Sequence, residues 1–317
     1  MQILVSPGRG WTFRSDFRPR HWTVDTERDS IPLSCEGSTR VSLRTLADGN
    51  PLKGAEMMTI EGTGYETSVA AEEAGKRWRD QLALLSVSFG QVVDFGSAGR
   101  RSAADSPPGI FETPDGPMAY VTPGFTVFRP DAALSFAWVA GGLNAELSED
   151  YIKEEFSYLA LADAELDADI FAGCTLYNSA MIQGDQSVRL VLLVTAVESL
   201  SDQKTLSSDV QELITLLQSE VNQSSIGEAD RRGLNGRLEE ARTQSVRSAC
   251  RQLIEEYLFD SYAGSSAFRF FDKQYSARSG FVHNGYDYEL QAMTADNDVL
   301  QGLVAELIRA VATSRHR

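Results

Sequence analysis

Cysteine is scarce in this chain of 317 residues: Cys35, Cys174 and Cys250 are odd in number and widely spaced. That excludes a disulfide framework and a cysteine zinc site, and it fits a reducing compartment. Histidine is equally sparse. His21, His283 and His316 lie too far apart for any local metal-binding spacing, so no metal is expected. Long hydrophobic runs are missing as well. The longest, "LVLLVTAV" at 190–197, falls well short of the roughly 20 residues that a membrane span requires. The opening "MQILVSPGRG" has no charged segment followed by a sustained apolar one, so a soluble, cytoplasmic protein is expected. Positive charge is in deficit, with 29 Lys and Arg against 45 Asp and Glu and a net charge of −16, which argues against a broad basic face that coats nucleic acid. "SPGRGW" lacks the Lys-Ser/Thr of a phosphate loop and the third glycine of a dinucleotide fingerprint, and "EGTGYETS" reads as a turn before a helix. No cofactor is expected.

What is present falls into two halves. Residues 1–140 are close to charge balance, with 14 basic and 17 acidic side chains, whereas 141–170 alone hold nine acids and one lysine. From residue 1 to about 142, short apolar stretches ("MQILVS", "MMTI", "QVVDF", "MAYVT", "FTVF") alternate with Gly, Pro and Asp, which is strand-and-turn chemistry. One helix interrupts them, starting on Thr67 or Ser68, with Ala71, Ala74, Trp78, Leu82 and Leu85 on its inner face. From 143 to 317 the pattern turns helical: segments over 148–166, 185–202, 208–221, 238–260, 265–285 and about 297–313 predict a bundle of five or six helices. The expected fold class is α+β, a mixed strand-rich domain at 1–142 followed by an all-α bundle at 143–317.

The second half carries the candidate chemistry in "YSARSGFVHNG", residues 275–285. Arg278 and His283 lie five apart, so on one ideal helix they differ by about 140° in direction. Either the arginine reaches around, or Gly280 relaxes the turn, or a second copy supplies the missing group in a symmetric dimer. A histidine in a helix's last turn feels the negative end of the dipole and titrates near neutrality. An arginine beside it can hold a phosphate by two parallel hydrogen bonds. Asn284 and Gly285 suit a left-handed helix end.

This stretch, following the apolar helix "RLVLLVTAVESL", resembles the HEPN superfamily of helical-bundle ribonucleases, its Apea-like branch above all. The resemblance covers about residues 150–315. The family's early helix signature is matched by "TAVESL" with Glu198, and its late one by Tyr275, Arg278, Ser279, His283 and Gly285. It implies a homodimer with two arginine and histidine pairs across a cleft, and metal-independent RNA cleavage, tRNA among the substrates, in toxins or in defence against phage. By that resemblance His283 is the acid-base group, Arg278 the phosphate and transition-state group, and Ser279 the residue that orients them, where many active members carry Asn, Asp or His. Some members have lost catalysis and serve as dimerisation or binding modules. The N-terminal half is then a domain that senses a trigger, phage-derived or a small molecule, or that restrains the nuclease.

Glu198, in an apolar helix, needs a basic or polar partner, and Arg278 is the candidate. Tyr275, one turn before Arg278, is expected to pack with its hydroxyl at the cleft rim. Arg269 and Lys273 lie upstream on the same helix and either extend an RNA path or are solvated surface charges. The N-terminal set Arg14, Arg18, Arg20 and His21, interleaved with Phe13, Phe17 and Trp22, mixes charge with stacking surface as single-strand binders do, though Asp16, Asp25, Glu27 and Asp29 dilute it. "KRWR" at 76–79 is half consumed by a helix core through Trp78.

Overall fold

The computed structural model describes residues 10–20, 22–46, 49–95, 110–113, 116–120, 124–128, 135–137, 145–160, 166–284 and 290–315. The chain separates into two compact units, one made of 1–184 with 308–317 and the other of 185–307. The strand "MQILVS" and the histidines His21 and His316 lie outside the described residues.

In the first unit the strands are β1 Trp11–Arg20, β2 Trp22–Asp25, β3 Ser30–Glu36, β4 Thr39–Thr45, β5 Met58–Tyr65, β6 Val92–Asp94, β7 Ile110–Thr113, β8 Gly116–Tyr120, β9 Gly124–Phe128, β10 Ser135–Ala137 and β11 Ala145–Ser148. Its helices are α1 Ser68–Phe89, α2 Glu149–Ala160 and α3 Ala168–Ile182. The main sheet runs β3-β4-β5-β1-β6, with β9 also on β1, and its pairs are antiparallel. β11 pairs with β2 in parallel. Alternation along β1 sends Phe13 and Phe17, both fully buried, to one face and Thr12, Arg14 and Asp16 to the other. Helix α1 packs on the phenylalanine face. Thr67 caps its start by accepting from the Ala70 N–H, and Gly90 ends it in the left-handed region at φ 60°.

Close approach of α1 needs glycine. A Cβ on Gly75 would stand 2.2 Å from the Phe125 ring and 2.8 Å from that of Phe13. The inner face of α1 includes Ala71, Ala74, Leu82 and Leu85 as its periodicity predicts, but Trp78 is half-buried against Phe156, ring centroids 5.6 Å apart. In its place Arg79 and Asp80 are buried, with the Arg79 guanidinium 5.1 Å over the Phe95 ring. Asn178 of α3 ties the layers together: its carbonyl accepts from the Val93 N–H at 3.0 Å and its amide donates to Ser86 at 2.8 Å.

The mixed cluster of arginines and aromatics near the N-terminus is no stacking surface. Phe13, Phe17 and Trp22 are core, Arg14 is buried 3.6 Å from Asp16, and Arg20 pairs with Asp94 at 2.7 Å. Burial of the rings outweighs any use of them at the surface, because each large aromatic removes much apolar area from water.

In the second unit α4 Gln186–Leu200, α5 Ser208–Gln223, α6 Glu228–Glu240, α7 Val246–Tyr257 and α8 Ala267–Asn284 are joined by short links and the two-residue hairpin strands β12 Ser261–Tyr262 and β13 Ser265–Ser266. The last helix, α9 Leu290–Arg315, belongs to this unit as far as Leu307. Eight helices follow β11 among the described residues, more than the five or six read from the sequence. The segment 238–260 is two helices, because the chain turns at 241–245 and Ser245 begins α7 by accepting from the Ser248 N–H at 3.2 Å. Helix α3 is apolar around most of its circumference, so its periodicity is faint. Among the described residues no helix is long and apolar enough to cross a membrane.

Candidate functional site

Helix α4 begins on Asp185, whose carboxylate accepts from the Ser187 and Val188 N–H groups, and runs through buried Leu190, Leu193, Val194, Ala196, Val197 and Leu200. Helices α7 and α8 pack on it and on one another. Glu198 lies in the last turn of α4, the end where a negative charge is least welcome, and it is only 17% exposed. It therefore needs a cation. Arg278 of α8 supplies one, with Nη2 3.2 Å from Oε2 of Glu198, as the sequence suggests.

Further groups lie near this pair. Tyr275 lies one turn before Arg278, and burial first, then the Glu198 charge, hold its phenol above the ordinary pKa. Cys250 of α7 is buried close to the Glu198 charge, and burial pushes its thiol up to about 11. Arg247, in the first turn of α7, sits 5.9 Å over the Tyr275 ring and grips Asp272 of α8 with two bonds of 2.5 and 2.7 Å. Arg278 Nε is buried without a partner among the described residues, while the side chain as a whole is 25% exposed.

Ser279 is half-buried next to Arg278. His283 lies in the last turn of α8; its side chain, like Gly285, is outside the described residues. Helix α8 is continuous through Gly280, so that glycine does not relax the turn. Arg278 is drawn toward α4 by its contact with Glu198. Arg269 is exposed, and Lys273 is bonded to Asp296 at 2.9 Å.

Arg247, Cys250 and Asp272 escape a reading of the sequence. A faint signal exists for the first two: positions 247, 250 and 254 fall on one stripe of α7, whose members Cys250 and Ile254 are buried. Among the described residues no group of three or more His, Cys, Asp or Glu could hold a metal ion. What the arrangement offers is a clamped, partly exposed arginine on the helix whose last turn holds His283. Comparison with family models, with curated proteins and with solved structures finds no match to this chain.

Proposed function

We propose that the chain is a metal-independent endoribonuclease of HEPN type, acting as a homodimer. The observation that carries this reading is the Glu198–Arg278 pair, with Nη2 3.2 Å from Oε2, on the helix whose last turn holds His283. A partly exposed guanidinium that a carboxylate already orients has little left to reorganise when a phosphate arrives.

In the proposed reaction the 2′-hydroxyl of the substrate attacks the adjacent phosphorus. Its proton passes to His283, the new 2′-O–P bond forms, the P–O5′ bond breaks, and the departing 5′-oxygen takes a proton from the partner copy's histidine. Arg278 neutralises the charge that builds on the phosphoryl oxygens, and Ser279 positions the pair. Single-stranded RNA and tRNA are the substrates to try first. The strand-rich unit is assigned to sensing a phage-derived or small-molecule trigger, a role in defence or as a toxin, in the cytoplasm.

A second reading, a non-catalytic dimerisation or binding module, is favoured by the same contact seen differently, since Glu198 already matches the charge of Arg278. Cleavage of labelled tRNA and single-stranded RNA in excess EDTA separates the two. For the ribonuclease, the wild type cuts and Arg278→Ala and His283→Ala fall by about a hundredfold or more, with helicity unchanged. Wild-type protein that cuts nothing with infected extract added, or variants that cut as well as the wild type, would sink it.

A further inference from the structure

Helix α7 presents two arginines to which no step of the proposed reaction gives a role. Arg247 and Arg251 lie four residues apart on one stripe of the helix, and their side chains are 51% and 58% exposed. Each has the same setting, a ring on one side and a carboxylate at an edge. Arg247 lies over the Tyr275 ring, 5.9 Å from its centroid, while its Nε and Nη2 donate to the two oxygens of Asp272. Arg251 lies over the Phe268 ring at 5.1 Å, and its Nε donates to Glu255 at 3.0 Å. Both rings belong to α8 and are half-buried. Exposed ion pairs of this kind add little to stability. What they do here is hold two guanidinium groups against two rings.

What stays open on each group suits a nucleotide. With half or more of each side chain exposed, the side of the guanidinium opposite the ring faces water. Arg247 Nη1 and both Nη groups of Arg251 have no partner among the described residues. A guanidinium plane stacks a base, and its spare N–H groups donate to a phosphate. Four residues of α7 rise about 6 Å, whereas bases stacked in a duplex repeat at roughly 3.4 Å. Two platforms at the wider step match bases splayed out from a single strand. Asp272 and Glu255 cancel both charges, so the recognition rests on stacking and directed N–H groups, in keeping with a chain whose net charge is −16. The row is also aimed at the candidate site. Helices α7 and α8 run antiparallel, since residue 247 meets 272 and 251 meets 268, and Arg278 follows Tyr275 by three residues. The order along α8 is therefore Arg251, Arg247, Arg278.

We propose that Arg247 and Arg251, each backed by an aromatic ring, form a binding track for single-stranded RNA that takes the nucleotides next to the phosphate held by Arg278. The inference rests on the ribonuclease reading for the choice of RNA as ligand. It deepens that reading by naming the single strand as the form bound and two side chains of α7 as the groups that hold it.

The test is fluorescence anisotropy of the full chain with a labelled single strand of about twelve nucleotides, and with the same strand annealed to its complement. The strand is 2′-O-methylated, which blocks the attacking hydroxyl, so binding is read without cleavage. Far-UV circular dichroism checks the fold of each variant, and the comparison of single strand with duplex needs no variant. The wild type should bind the duplex about tenfold more weakly than the single strand. Arg247→Lys and Arg251→Lys keep the charge but lose the plane, so each should weaken single-strand binding about tenfold, and the two together about a hundredfold. Lysine variants that bind like the wild type would show that charge alone is read, which overturns the proposal. So does a duplex bound as tightly as the single strand, or no single-strand binding up to about 100 μM protein. If EDTA-resistant cleavage needs Arg278 and ignores both lysine changes, only the track is wrong. If binding needs both arginines and no RNA is cut, only the ribonuclease reading is.

Discussion

Glu198 and Asp16 are both acids in apolar surroundings, and their different company decides their different chemistry. Glu198 has Arg278 at 3.2 Å. Asp16, on the central strand β1, has Arg14 at 3.6 Å but is fully enclosed, with Glu61 adding a like charge, and burial raises its carboxyl above the usual range. The sign of the consequence follows from linkage. A carboxyl whose folded pKa exceeds its unfolded value of about 3.9 holds extra protons in the folded state, so its contribution to stability is present at low pH and is lost as pH rises through the folded value. Asp16→Asn should accordingly gain stability relative to the wild type between pH 4 and pH 7, read as urea midpoints of both proteins at each pH. A variant that loses ground as pH rises would show that the attraction to Arg14 dominates instead. The need of Glu198 for a partner was legible in the sequence, because a carboxylate in "LVLLVTAVESL" has no neighbour to satisfy it. The burial of Asp16 and Arg14 was not, because alternating charged residues along "TFRSDFR" look like a solvated strand face until a second layer covers them.

At the scale of elements, caps and periodicity located most helices, and the misreadings have specific causes. The periodicity of 238–260 runs smoothly across a turn, and Ser245 only looks like a cap once Ala241 is seen to leave the helix. Trp78 was read as core by its spacing, yet α2 meets it at the edge of α1, and the sheet side of that turn takes Arg79 and Asp80. The contact between α1 and the sheet depends on a missing side chain. Gly75→Ala would set its methyl against Phe125 and Phe13, an overpacking cost of about 1–3 kcal/mol that exceeds the roughly 1 kcal/mol a helix gains from alanine over glycine. A net loss in urea unfolding free energy is expected; a gain would mean that the two rings move aside freely.

At the scale of the whole molecule, the first unit is completed by the far end of the chain. Ile308, Val311 and Ala312 are buried within it, and Arg315 bonds Asp167 at 3.3 Å and Asp169 at 2.5 Å. All four tryptophans fall in 1–184, so their fluorescence reports this unit alone. Deleting 308–317 removes two large buried side chains at about 2–5 kcal/mol each. The tryptophan-detected melting temperature should drop well below that of the full chain; an unchanged transition would show that the terminal turns contribute nothing to the unit.

The sequence by itself determined the alternation of strand and helix, the change of pattern along the chain, and the positions of α1, α4 and α8, because periodicity and capping act over a few residues. It also singled out Arg278 and Glu198 as partners, since an acid in an apolar helix has few ways to be satisfied. Only the tertiary structure decided that the arginines and aromatics of β1 are core, that Arg247 and Cys250 join the cluster at Glu198, and that residues 308–317 belong with the first unit. Those outcomes depend on which faces meet across long stretches of chain, and burial, unlike periodicity, is a property of the second surface as much as of the first.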